Sequence, residues 1–173
     1  MKRAPSNATS PKRVPNPLLA EGKRAPAFTL PSTNGERFRL TEHRGRWIVV
    51  FFYGKTQTVG TRAEVHEFQQ ALSEFQEFGC YLVGIGPDTL DSHRKLADAH
   101  ELNFPLLADR DAKIAAKYGA WRIRKSGGRE YYGSVRSTFL IDPSGKLARV
   151  WDNVRVKGHV ERVRKALAEV IAE

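Results

Sequence analysis

The chain reads as an α/β domain of three layers, with helices packed over a mixed central sheet. Three observations predict it. Two continuously apolar, β-rich runs, Trp47–Tyr53 and Cys80–Ile85, are separated by an amphipathic helical stretch, as in parallel strands covered on both faces. Two later β-rich runs flank Asp142-Pro-Ser-Gly145, a type I turn signature, and so form an antiparallel hairpin. A final amphipathic stretch closes the chain. Strand, helix, strand, helix, hairpin and helix stack as three layers.

The elements follow in order. Residues 1 to about 22 read as a disordered basic tail. Over residues 1–26, Lys2, Arg3, Lys12, Arg13, Lys23 and Arg24 face Glu21 alone, a net +5 and half of the formal +10 of the 173-residue chain. Pro5, Pro11, Pro15, Pro17 and Pro26 exclude a helix or a central strand there. The stretch lacks the apolar core of a secretory signal, so a cytoplasmic location is expected. Two readings of the tail stay open: a solubilising extension, or an arm that touches nucleic acid or anionic lipid through phosphate contacts.

The folded domain is placed at residues 23–173. Phe28–Leu30 and Arg37–Leu40 alternate apolar and polar around Asn34-Gly35 and predict a short hairpin. Val65, Phe68, Leu72 and Phe75 form the inward face of the first helix, which Gly79 ends. Asp88 and Asp91 open a second helix, with Leu90, Leu96 and Ala97 inward and His100 near its end. Ala112–Tyr118 predicts a short third helix. Trp121 through Arg129 is read as a basic loop, either solvated or part of an anion- or partner-binding face. Val135–Ile141 and Leu147–Trp151 are the hairpin strands. Val160, Val163, Leu167, Val170 and Ile171 line the last helix.

Composition narrows the function classes. With a mean hydropathy of −0.48 and no apolar run near 18 residues, no membrane-spanning helix is expected. The single cysteine, Cys80, rules out a disulfide within the chain and a multi-cysteine zinc site. His43, His66, His93, His100 and His159 show no ligand spacing, so neither metal nor cofactor is expected. Gly84-Ile-Gly86 lacks the third glycine of a dinucleotide fingerprint.

Topology then places a candidate site. Ligands of open α/β sheets sit beyond the carboxyl ends of the parallel strands. That points to the loop Gly54–Gly60 after the first strand, running into a helix around Thr61, whose N-terminus offers free backbone N–H groups. The antiparallel strand from Val135 starts at the same edge and brings Arg136 there. Cys80 lies at the opposite end of its strand, about 20 Å away at about 3.3 Å per residue.

Six segments resemble the peroxiredoxins in order and in register. They are Gly22–Leu30, Phe52–Lys55, Thr58–Glu64, Gly84–Asp88, Phe104–Leu107 and Arg136–Asp142. The likeness covers about residues 22–172 and is greatest for the bacterioferritin-comigratory, or peroxiredoxin Q, branch. It implies a thioredoxin-like fold, a peroxide substrate and thioredoxin as reductant. The family's active loop resembles Thr-Pro-Gly-Cys-Thr-x-Glu, in which a cysteine thiolate attacks the peroxide. Thr58 and Glu64 match its threonine and glutamate, and Arg136 matches the arginine that holds the peroxide. Val59 stands at the proline and Thr61 at the peroxidatic cysteine. The resolving cysteine of this branch falls on His66, or near Ala97 in the next helix.

This departure touches the chemistry itself. Peroxide reduction needs a thiolate that becomes a sulfenic acid and is recycled through a disulfide. A threonine hydroxyl has no such oxidation ladder, and a neighbouring arginine shifts acidity rather than redox character. The resemblance therefore implies a peroxiredoxin-like protein without its own peroxidase step, whose pocket binds a small polar or peroxide-like ligand. Two alternatives stand beside it: a hydroperoxide reductase working through Cys80, and a nucleic-acid-associated module using the basic tail. A monomer or weak dimer is the expectation for the branch.

Overall fold

The computed structural model of the protein describes residues 18–173, so the proposed tail up to residue 17 lies outside the described residues. In chain order the strands are β1 (Thr29–Pro31), β2 (Arg37–Arg39), β3 (Trp47–Phe52), β4 (Cys80–Gly86), β5 (Leu106–Ala108), β6 (Trp121–Ser126), β7 (Arg129–Ser134), β8 (Ser137–Ile141) and β9 (Leu147–Trp151). The helices are α1 (Val59–Glu77), α2 (Leu90–Ala99), α3 (Lys113–Tyr118) and α4 (His159–Ala172), with a 3-10 turn at Leu40–His43.

Five strands form the mixed central sheet in the order β9-β8-β3-β4-β5. β3 runs parallel to β4, with Trp47 opposite Cys80 and Phe52 opposite Ile85. β8 runs antiparallel to β3 and starts where β3 ends, Ser137 opposite Phe52. β9 returns beside β8 after the Asp142–Gly145 turn, in which Asp142 Oδ1 accepts from the N–H groups of Ser144 and Lys146.

The side-chain alternation of β3 builds both halves of the core. Ile48, Val50 and Phe52 face α3 and the β1–β2 hairpin, while Val49, Phe51 and Tyr53 face α1, α2 and α4. Phe51 stacks on Phe68 of α1 with ring centroids 4.4 Å apart, which fixes that helix on the sheet. Gly84 and Gly86 serve this packing. A Cβ on Gly84 would stand 2.8 Å from the Phe51 ring, and one on Gly86 would overlap the Tyr53 ring. The glycine pair therefore admits aromatic rings and has no phosphate-cradle geometry to serve.

Several expectations are corrected. Trp121–Arg129 is no loop: β6 and β7 pair antiparallel from Trp121↔Ser134 to Ser126↔Arg129. The signal was Gly127-Gly128, both at positive φ, as a two-residue hairpin turn requires. Leu106–Ala108 is an additional strand; three residues are too few to show a period. Thr89, not Asp88, caps α2 by accepting from Ser92 N–H, and His93 rather than Leu90 is its buried face beside Leu96. The tail boundary also moves, because Leu18 and Leu19 pack half-buried on the core and Gly22 N–H bonds the Leu147 carbonyl.

Since Phe68 is fully buried between Phe51 and Phe75, Phe68→Ala is expected to destabilise the protein by about 3–5 kcal/mol. Urea unfolding followed by circular dichroism measures it.

Candidate functional site

The loop after β3 enters α1 through Thr58, the helix N-cap. Its hydroxyl oxygen accepts from Thr61 N–H at 3.3 Å, and its one hydroxyl proton faces two acceptors, the Lys55 carbonyl at 3.1 Å and Thr61 Oγ1 at 2.9 Å. From the start of β8, Arg136 reaches across to α1. Its Nη2 donates to Thr61 Oγ1 at 3.2 Å and its Nη1 to Glu64 Oε1 at 2.7 Å. Gly60 leaves room for this guanidinium, since a Cβ there would stand 3.1 Å from Nη2. Thr58, Thr61, Glu64 and Arg136 are thus brought into one hydrogen-bonded cluster from segments more than seventy residues apart.

The cluster is dry. Thr61 and Glu64 are 0% exposed, and the Arg136 side chain is 18% exposed. Among the described residues, Glu64 Oε2 has no hydrogen-bond partner. Burial therefore outweighs the stabilising charge of Arg136 and pushes the Glu64 carboxyl up to about 7. The neighbouring Tyr53 hydroxyl is also buried and unpartnered, and its acidity is suppressed by burial first and then by the charges of Glu64 and Asp88. The buried oxygen of Thr61 is thus contacted by the Arg136 guanidinium and by the Thr58 hydroxyl.

Other groups at this edge gave no sequence signal. The Asp88 carboxylate accepts from the backbone N–H (2.8 Å) and the hydroxyl (2.9 Å) of buried Thr56, which holds the Gly54–Gly60 loop against the end of β4. His159, at the first turn of α4, sits 2.8 Å from Thr138 Oγ1. Burial, aided by Arg162 and Arg136, lowers its pKa to about 4 and keeps it neutral. Neither contact has a sequence period; each joins elements that only the sheet brings together.

The remaining candidates lie apart. His66 is exposed on α1, with its ring centroid 5.9 Å from that of His100, a juxtaposition invisible at 34 residues of separation. Ala97 is half-buried on α2. Cys80 is buried at the opposite end of the sheet, opposite Trp47, and desolvation pushes its thiol up to about 12. Among the described residues, no helix is long and apolar enough to cross a membrane.

The sequence profile of the AhpC/TSA family matches residues 22–150, and the chain belongs to it. Within the family it is a homologue of the Bcp/PrxQ peroxiredoxins. It is 36% identical to peroxiredoxin Bcp of Bacillus subtilis over 86% of this chain and 95% of that one. It is 34% identical to peroxiredoxin Bcp of Escherichia coli over 89% and 98%. The bacterioferritin comigratory protein of Xanthomonas campestris, which has alkyl peroxide reduction activity, superposes with a TM-score of 0.82 at 30% identity, covering 87% of this chain and 98% of that one. The thioredoxin-like α/β fold expected from the sequence is the one observed.

Glu64 gives a pH signature. Its folded-state pKa lies above its ordinary value of 4.5, so its stabilising contribution is full below about 4.5 and is lost as pH rises through about 7. Relative to Glu64→Gln, the wild-type protein is therefore expected to lose stability between about pH 4.5 and 7 and to level off above. Parallel urea titrations of both proteins across that range check it; a flat difference would refute the assignment.

Proposed function

We propose that this protein uses the peroxiredoxin scaffold without the thiol peroxidase step. Thr61 stands where the family places its peroxidatic cysteine, and the edge above it, carrying Thr58 and Arg136, takes a small polar or peroxide-like ligand in the cytoplasm. The observation that carries this reading is the set of hydrogen bonds on Thr61 Oγ1: Arg136 and Thr58 converge on an oxygen that cannot become a sulfenic acid. Thioredoxin then has no disulfide of this chain to reduce.

Cys80 does not fill the gap. A thiol held near 12 is almost wholly protonated at neutral pH, and the thiolate is the attacking species. Burial at the far sheet edge also keeps it from Arg136.

With alkyl hydroperoxide, thioredoxin, its reductase and NADPH, stopped-flow measurement is expected to show no turnover above the protein-free rate. Cys80→Ser should change nothing. Thr61→Cys should raise peroxide consumption at least roughly tenfold above that rate, because the arginine and threonine that activate a thiolate are already in place. Turnover by the unaltered protein that disappears in Cys80→Ser would overturn the proposal.

A further inference from the structure

The β6–β7 hairpin belongs to neither sheet of the core and forms its own two-stranded ribbon. Its six paired positions span about 20 Å at about 3.3 Å per residue. Cross-strand partners share a face, so the register sorts the side chains. Trp121, Ile123, Tyr132, Lys125 and Glu130 lie on one face; Trp121 packs half-buried on the core, and Lys125 faces Glu130 at 4.0 Å. Arg122, Arg124, Arg129 and Tyr131 lie on the other.

The arginine face is built rather than merely charged. Gly133 makes space on it, since a Cβ there would stand 2.9 Å from the Tyr131 ring and 3.5 Å from Arg124 Cδ. The ring and the arginine stem thus lie over the same stretch of backbone. Arg124 Nη1 donates to the Ser134 carbonyl at 2.7 Å, which holds the guanidinium beside the ring. Tyr131 is 47% exposed. Arg122 pairs with Asp152, which docks the ribbon on the loop bearing exposed Arg155 and Lys157. Among the described residues, Arg124 and Arg129 have no acidic partner. Across residues 121–134 and 152–158, six cations face two acids, and both acids are in ion pairs.

We propose that this ribbon binds single-stranded nucleic acid, with its phosphates along Arg124 and Arg129 and an unpaired base stacked on Tyr131. Cationic side chains interleaved with an exposed aromatic ring are the combination that single strands require: charge tracks the backbone, and the ring takes any base by its π-face. A duplex leaves no free base face for Tyr131, and an acidic polypeptide has no use for a ring set between guanidinium groups. The site is distinct from the Thr61 cluster and independent of the function proposed for it.

The test is fluorescence anisotropy of the full chain with labelled oligothymidylate and oligouridylate over a salt series. Both are expected to bind, and binding of either sustains the proposal. Tyr131→Ala should weaken binding about tenfold. Gly133→Ala should weaken it similarly with charge unchanged, because the new methyl displaces the ring. Arg124→Gln with Arg129→Gln should lower the slope of log affinity against log salt by about 1.4. The Tyr131→Ala factor should be the same when Lys2, Arg3, Lys12 and Arg13 are changed to Gln, which separates the ribbon from the basic tail. No binding of either oligonucleotide at low salt would overturn the proposal, as would wild-type affinity in both Tyr131→Ala and Gly133→Ala. Equal affinity for duplex, or equal competition by polyglutamate, would overturn it in favour of a general polyanion or acidic-protein surface.

Discussion

The buried contact of Arg136 with Glu64 and Thr61 is the constraint on which the site depends. A guanidinium at the start of β8 is tied to the second turn of α1, so the position of the helix N-terminus is set by the sheet rather than by the loop before it. A buried pair of this kind contributes little net stability, because desolvation cancels much of the Coulomb gain, yet losing one partner strands the other. Its effect is positional. Phe51 on Phe68 holds the middle of α1, Arg136 holds its start, and Thr58 caps the Thr61 N–H there.

That arrangement gathers two hydrogen-bonding side chains around a buried oxygen. Both hydrogen bonds to Thr61 Oγ1 would favour an anion at that position. Acidity and redox capacity are separate properties, however, and a threonine hydroxyl has no oxidation ladder. The chain belongs to the AhpC/TSA family and keeps its fold over the length of its peroxiredoxin relatives. Its one thiol is protonated, buried and at the opposite end of β4. The basic ribbon beside this edge, whose strand β7 ends two residues before Arg136, gives the molecule a second surface whose chemistry needs no thiol.

Much was legible because it repeats along the chain. The apolar runs of β3 and β4 have a composition that only double-sided burial explains, and the heptad-like spacing of Val65, Phe68, Leu72 and Phe75 marks one helix face. The turn at Asp142–Gly145 announces itself through one side chain that accepts from its own backbone. What failed to show was local conflict. Trp121–Arg129 carries so many cations that its alternation was masked, although Gly127-Gly128 marked the hairpin. Asp88, read as opening α2, lies just before it and serves Thr56, 32 residues earlier.

By itself the sequence determined the fold class, the edge at which Thr58, Thr61, Glu64 and Arg136 meet, and the absence of a second thiol. All three follow from periodicity, strand direction and residue identity, which a one-dimensional string carries. The tertiary structure alone decided that Thr61 and Glu64 are sealed from water, that the Glu64 carboxyl is pushed up to about 7, and that three arginines and Tyr131 share one face of a ribbon. Those are properties of burial and cross-strand register. Both depend on which distant segments come to lie against each other, and no local pattern encodes that.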